Sequence, residues 1–147
     1  MEVQKMHEND YSEEEVIYFC FSSTLRIFGD IDNLNQISKT LGLKPTYSHK
    51  KGEPKSKKNN NIVWDRDMWS YDSPVPEDRH LDVHIQKLWD ILKPHKEYLK
   101  GLKKELTVDV FNGYRSNSST AGFEVSPSSL EMFVELDIPF GVSVIVC

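Results

Sequence analysis

Nowhere does the sequence carry a run approaching the roughly 20 apolar residues of a membrane span, and its first fifteen residues, polar and acidic, hold no apolar leader segment. The chain is expected to stay in the cytoplasm, away from any membrane. Only two cysteines occur, Cys20 inside an apolar run and Cys147 at the end, and neither belongs to a C-x-x-C pair or a catalytic signature. Both are read as reduced thiols. No glycine-rich phosphate loop appears. Lys and Arg are outnumbered 18 to 23 by Asp and Glu, for a net charge of −5, which excludes a broad nucleic-acid footprint because phosphate binding needs a net basic face.

What is present, in 147 residues, is enough for one domain with a sizeable core and too little for two ordinary ones. Residues 1–14 read as a disordered tail, charged and nearly free of aliphatic side chains, and 15–147 as a single α+β domain. From Asp78 to Leu106, Leu81, Ile85, Leu88, Leu92, Leu99, Leu102 and Leu106 recur at steps of three, four or seven, the stripe of an amphipathic helix. Trp89 and Ile91 flank it, and Val83 lies on the opposite face. No second segment could supply a helix of that length. The stripe is therefore expected to cover a sheet built from the β-branched and aromatic segments on either side.

In chain order, Val16 to Gly29 reads as a central strand. Asp30 or Asp32 should cap a short helix, Asn33 to Leu41, that ends at Gly42 in a left-handed C-cap. Thr46 to His49 is a short extended piece, the Lys/Asn-rich stretch Lys50 to Asn61 a mobile loop, and Ile62 to Tyr71 a strand. Pro94 should either kink the long helix, the favoured reading, or restart it with Pro94 in a new first turn. Thr107 to Tyr114 and Gly122 to Val125 should form a loose hairpin, followed by a helix started by Ser126 and Pro127 and a closing strand, Ile138 to Val146. This order implies a two-layer sandwich: a mostly antiparallel sheet, helices on one face, a ferredoxin-like βαββαβ core and a C-terminal βαβ extension. Phe28, Leu34, Ile37 and Leu43 echo Phe123, Leu130, Phe133 and Ile138, a spacing that any two βαβ units share.

Chemistry has few footholds. His80 and His84, four apart on the long helix, have the spacing of two metal ligands, but two ligands do not make a site, and His49, Asp72 and Glu77 are only speculative third donors. No metal and no cofactor is expected. Asp65 and Asp67 are paired carboxylates beside Trp64, Trp69 and Tyr71. On a strand next to a polar loop they should be solvated and both ionised, not split in pKa as acid-base chemistry requires. Ser48 beside His49 lacks an orienting acid. Lys50, Lys51, Lys55, Lys57 and Lys58 form a basic loop, read as solvent-exposed though able to meet a phosphate-bearing partner.

Three stretches together resemble a known family: Leu25-Arg26-Ile27-Phe28-Gly29-Asp30 with Leu41-Gly42-Leu43-Lys44-Pro45-Thr46, then Ser48-His49-Lys50-Lys51-Gly52-Glu53-Pro54, then Trp69-Ser70-Tyr71-Asp72-Ser73. The resemblance is to the bacterial domain-of-unknown-function family numbered four-two-seven-nine, and it extends to Val108-Asp109-Val110-Phe111, Gly122-Phe123 and the helix from Ser126 to Leu136. It implies a small bacterial α+β domain with Ser48, His49, Lys51, Gly52 and Trp69 as characteristic positions, and it implies no activity. The Lys/Asn insert after Pro54 departs from the family pattern.

The leading functional expectation is a non-enzymatic module that binds an unknown protein partner, of the immunity or antitoxin kind, whose acidic surface steers basic partners. The alternative is a small-molecule or anion-binding domain in which Ser48, His49, Lys51 and Trp69 line one end of the sheet. A metal-dependent enzyme using His80 and His84 ranks below both, for want of a complete ligand set. No motif encodes the partner's identity or an oligomeric state.

Overall fold

The apolar run after residue 15 becomes β1 (Phe19–Gly29), and a computed structural model describing residues 16–147 hangs the remaining elements on it. The expected tail at 1–14 lies outside the described residues. After β1 come α1 (Leu34–Leu41), β2 (Tyr47–His49), β3 (Pro54–Ser56), β4 (Asn59–Val63) and β5 (Asp67–Asp72). Then follow α2 (Leu81–Leu92), a 3₁₀ turn (Lys93–His95), α3 (Lys96–Leu102), β6 (Thr107–Ser116), α4 (Pro127–Glu135) and β7 (Val142–Val146). The fold is α+β.

Five strands form one sheet in the order β2-β5-β1-β6-β7. β1 runs antiparallel to both neighbours, with Ile27 opposite Trp69 on β5 and Leu25 opposite Val110 on β6. β2 is antiparallel to β5, placing Ser48 across from Trp69, whereas β7 runs parallel to β6. That parallel pair needs a crossover, which α4 provides.

One face of this sheet is closed. Phe21, Leu25 and Ile27 of β1, Trp69 of β5 and Val108, Val110 and Tyr114 of β6 point into it and are buried. The long-helix stripe meets them as its periodicity requires: Leu81, Ile85, Leu88, Leu92 and Leu99 are fully buried, and Val83 is 46% exposed. Ile37 and Leu41 of α1 and Met132 and Phe133 of α4 complete the core. Two polar residues inside it pair: Ser23 Oγ donates to Asn112 Oδ1 (2.9 Å), and Asn112 Nδ2 donates to the Gly141 carbonyl (3.0 Å).

The helix ends follow their sequence signals with one exception. Gly42 adopts φ of 66° and its N–H reaches the Ser38 carbonyl, a left-handed cap that a side chain would strain. Ser126 caps α4 with Pro127 in its first turn. The α1 cap is Asn33, whose side chain accepts from Asn35 N at 3.0 Å, not Asp30 or Asp32.

Four expectations are corrected. Lys50 to Asn61 is not a plain loop: β3 and β4 pair as a separate two-stranded hairpin, entered at Gly52 with φ of 88°. Both strands are exposed throughout, so no apolar alternation marks them. Ile62 to Tyr71 is not one strand, because a turn between Val63 and Asp67 separates β4 from β5. Gly122 to Val125 forms no strand, since β7 fills the edge of β6 where a hairpin partner would have paired. At Pro94 the long helix does not bend continuously: it breaks into the 3₁₀ turn and restarts as α3, relieving the carbonyl clash and missing N–H of a helix-interior proline.

Candidate functional site

The far side of the sheet is where side chains capable of recognition collect. On β1 the positions between the core residues are Thr24, Arg26 and Phe28, all half-buried, and across from them stand Asp109 and Phe111 of β6. Arg26 donates from Nε and Nη2 to the two carboxylate oxygens of Asp109, each at 2.8 Å, a bidentate pair that raises the guanidinium pKa through that hydrogen bond. Its guanidinium carbon lies 5.0 Å from the Phe111 ring centre and 5.6 Å from that of Phe28, and Arg66 stacks over Phe28 at 4.2 Å. Rings and cations thus hold one another in fixed positions. Thr24 donates to Asp72 at 2.7 Å on the same face.

At the β2 edge of that face His49 is sealed in. Its ring stacks on Trp64 with centroids 3.9 Å apart and planes 8° from parallel, and Nδ1 lies 3.0 Å from the Tyr47 hydroxyl. Burial pushes its pKa down, so the imidazole is held neutral. Lys55 from the hairpin sits 4.9 Å over the other ring of this stack, Trp64.

Asp67, expected to be solvated, is buried instead, and this corrects the reading of the paired carboxylates. Its oxygens accept from Lys51 N at 2.7 Å and Ile31 N at 2.8 Å, with Lys50 Nζ 3.5 Å away. Those two backbone N–H groups hold its pKa below the ordinary carboxylate range. It is ionised and fully engaged as a clamp between the loops after β1 and β2. Asp65 remains exposed, as expected.

The four predicted ligand residues do not converge on one cavity. Ser48 and Trp69 face the helices and share a shallow groove of about 320 Å³ with Asn33, Ser38 and Lys50. The Trp69 ring is fully buried, with Nε1 donating to Ser38 Oγ at 3.0 Å. His49 lies on the opposite face, and Lys51 is exposed while its backbone serves Asp67. Sequence reasoning missed Arg26 and Asp109. Their signal was a lone arginine at an alternate position of an otherwise apolar strand, hidden by reading that strand as continuously buried.

Of the two helix histidines, His80 is exposed and His84 is 2% exposed. His84 Nδ1 lies 2.6 Å from Ser73 Oγ, while Nε2 has no hydrogen-bond partner among the described residues. Burial lowers the His84 pKa. Ser73 is itself 8% exposed, so this Ser-His pair is closed to a substrate. Among the described residues no group of three or more His, Cys, Asp or Glu side chains is placed to hold a metal ion, and no helix is long and apolar enough to cross a membrane.

The chain belongs to the family described as Domain of unknown function (DUF4279), whose model matches residues 19–146. No curated protein and no solved structure matches it.

Proposed function

We propose, from the premise that this is a DUF4279 chain, that it is a non-enzymatic binding module that recognises another protein through the sheet face its helices leave uncovered. The observation that carries this reading is the prearranged set of Arg26, Asp109, Phe28 and Phe111, with Arg66 over Phe28. Arginine and aromatic side chains are the types that supply most binding energy at protein interfaces, and a prefixed geometry lowers the entropic cost of docking. The net charge of −5 favours encounter with basic partners, in keeping with an immunity or antitoxin role. The same reading takes the core as ferredoxin-like βαββαβ with α4 and β7 as an extension; the order β2-β5-β1-β6, all antiparallel neighbours, supports it.

The test is calorimetric titration of the protein with the products of genes adjacent to its own. Binding to one of them, weakened at least about tenfold in an Arg26→Ala/Phe111→Ala variant that keeps its melting temperature, is the expected result. A complex indifferent to that double substitution would move the interface elsewhere. The second reading, a small-molecule or anion site, is favoured by one observation: Ser48, Lys50, Asn33 and Trp69 do share a groove. Saturation by a small anion that shifts the NMR signals of Ser48 and Lys50 but not Phe111 would put it first.

A further inference from the structure

At the Phe19 end of the sheet, on the helix-covered side and apart from the proposed docking face, a half-open cavity of about 260 Å³ lies between β1, β6 and the segment leading to α4. We infer that it binds a quaternary ammonium group. Its lining includes Phe19, Phe21, His80 and Tyr114, an aromatic set in which Phe21 and Tyr114 lie nearly parallel with centroids 4.8 Å apart. Phe123 closes edge-on against both of those rings. Phe19 and His80 stand at the solvent side, 6.4 Å apart and 22° from parallel.

Charge decides which ligand this set suits. Among the described residues no Lys or Arg lines this cavity or the adjoining one, which shares His80 and Gly122. The adjoining cavity adds Asp82 and Glu124. Asp82 Oδ1 accepts from Ser126 N, Ser126 Oγ and Ser129 Oγ at 2.9, 3.0 and 2.6 Å, contacts that favour the ionised carboxylate. A cation in the aromatic cavity therefore meets ring quadrupoles on its walls and carboxylates beside it. The methyl groups of a tetraalkylammonium suit the apolar part of this wall, Ile17, Phe19 and Phe21.

The experiment uses choline as the probe, set against its uncharged isostere in which carbon replaces the nitrogen. Both are titrated into the full chain at about pH 8, where an ordinary imidazole is neutral, and followed by NMR. Choline is expected to shift the resonances of Phe19, Tyr114 and Gly122, and the isostere to bind roughly tenfold more weakly, the ratio that cation–π attraction in a desolvated site supplies. Phe19→Leu keeps an apolar side chain at a 40% exposed position but removes the ring, and is expected to weaken choline severalfold while the fold, checked by circular dichroism, is unchanged. Equal affinity for the isostere would make this an apolar site and overturn the inference. So would the absence of any shift with choline at about 10 mM, well above the range of a millimolar site. The docking-face proposal stands or falls separately, since its variants lie on the other side of the sheet.

Discussion

The two faces of one sheet solve opposite problems with the same strands. On the covered face the side chains of β1 and β6 are mostly aliphatic or aromatic; of the polar exceptions, Ser23 pairs with Asn112 and Ser116 Oγ donates to the Tyr18 carbonyl. On the open face the alternate positions of the same strands carry Arg26, Phe28, Asp109 and Phe111, which satisfy one another while remaining in reach of solvent. Burial explains the pairing on the first face, since an unpaired polar group on a buried strand costs a lost hydrogen bond with no compensation. It does not explain the second. An exposed ion pair contributes little to stability, and the fixed guanidinium between two rings is what the docking role proposed above draws on.

The comparison breaks first on the covered side. Leu88→Ala removes a fully buried side chain and should cost about 2–5 kcal/mol through lost transfer energy and a residual cavity. Val83→Ala, on the exposed side of the same helix, should stay within about 0.5 kcal/mol. Denaturant melts of the two variants check both, and equal losses would mean the helix packs by another face.

An intermediate effect is expected where the two sides meet, at Asp67. Asp67→Asn leaves the Ile31 and Lys51 amides without a charged acceptor and should cost about 1–3 kcal/mol at neutral pH. The sign of its pH dependence follows from the lowered folded-state pKa. The carboxylate contributes fully above its unfolded value, near 4, and its contribution is lost as pH falls through the lower folded value. Chemical melts from pH 7 downward should therefore converge for the parent and the variant. A constant gap down to the lowest pH would show that the loss is one of shape and not of charge.

The smallest effect belongs to the hairpin. Replacing residues 55–60 with a short Gly/Ser linker deletes most of a two-stranded sheet whose strands are exposed throughout, and it should move the melting temperature by no more than about 4 °C. Calorimetric scans measure this. A drop beyond about 10 °C would show that the Lys55–Trp64–His49 stack anchors the sheet edge as firmly as the core does.

What the sequence let one read, and what it hid, follows the range of the forces involved. The α2 stripe, the Gly42 cap and the Ser126-Pro127 start are local: periodicity, positive φ and a fixed proline ring act within a turn or two. The β3–β4 hairpin stayed hidden because it buries neither face. Asp67 was misread because its burial depends on amides at Ile31 and Lys51, brought to it by two separate loops. Of the predicted site, Ser48 and Trp69 do meet, whereas strand alternation alone sends His49, the next residue, to the other side.

The pairing of β1 also sets a schedule. Its ladder partners are Asp67–Asp72 and Thr107–Ser116, so the strand at the centre of the sheet has none of its bonds to near neighbours in sequence. At synthesis rates of about 5–20 residues per second, Phe19 to Gly29 leaves the ribosome roughly ten seconds before Ser116 can close over it. Through that interval Phe21, Leu25 and Ile27 have neither a sheet partner on the β6 side nor a complete helix layer. The same residues that centre the finished domain are, for the nascent chain, its principal exposure to misassociation, and holding them apart until β6 emerges is a task for the cell and not for the fold.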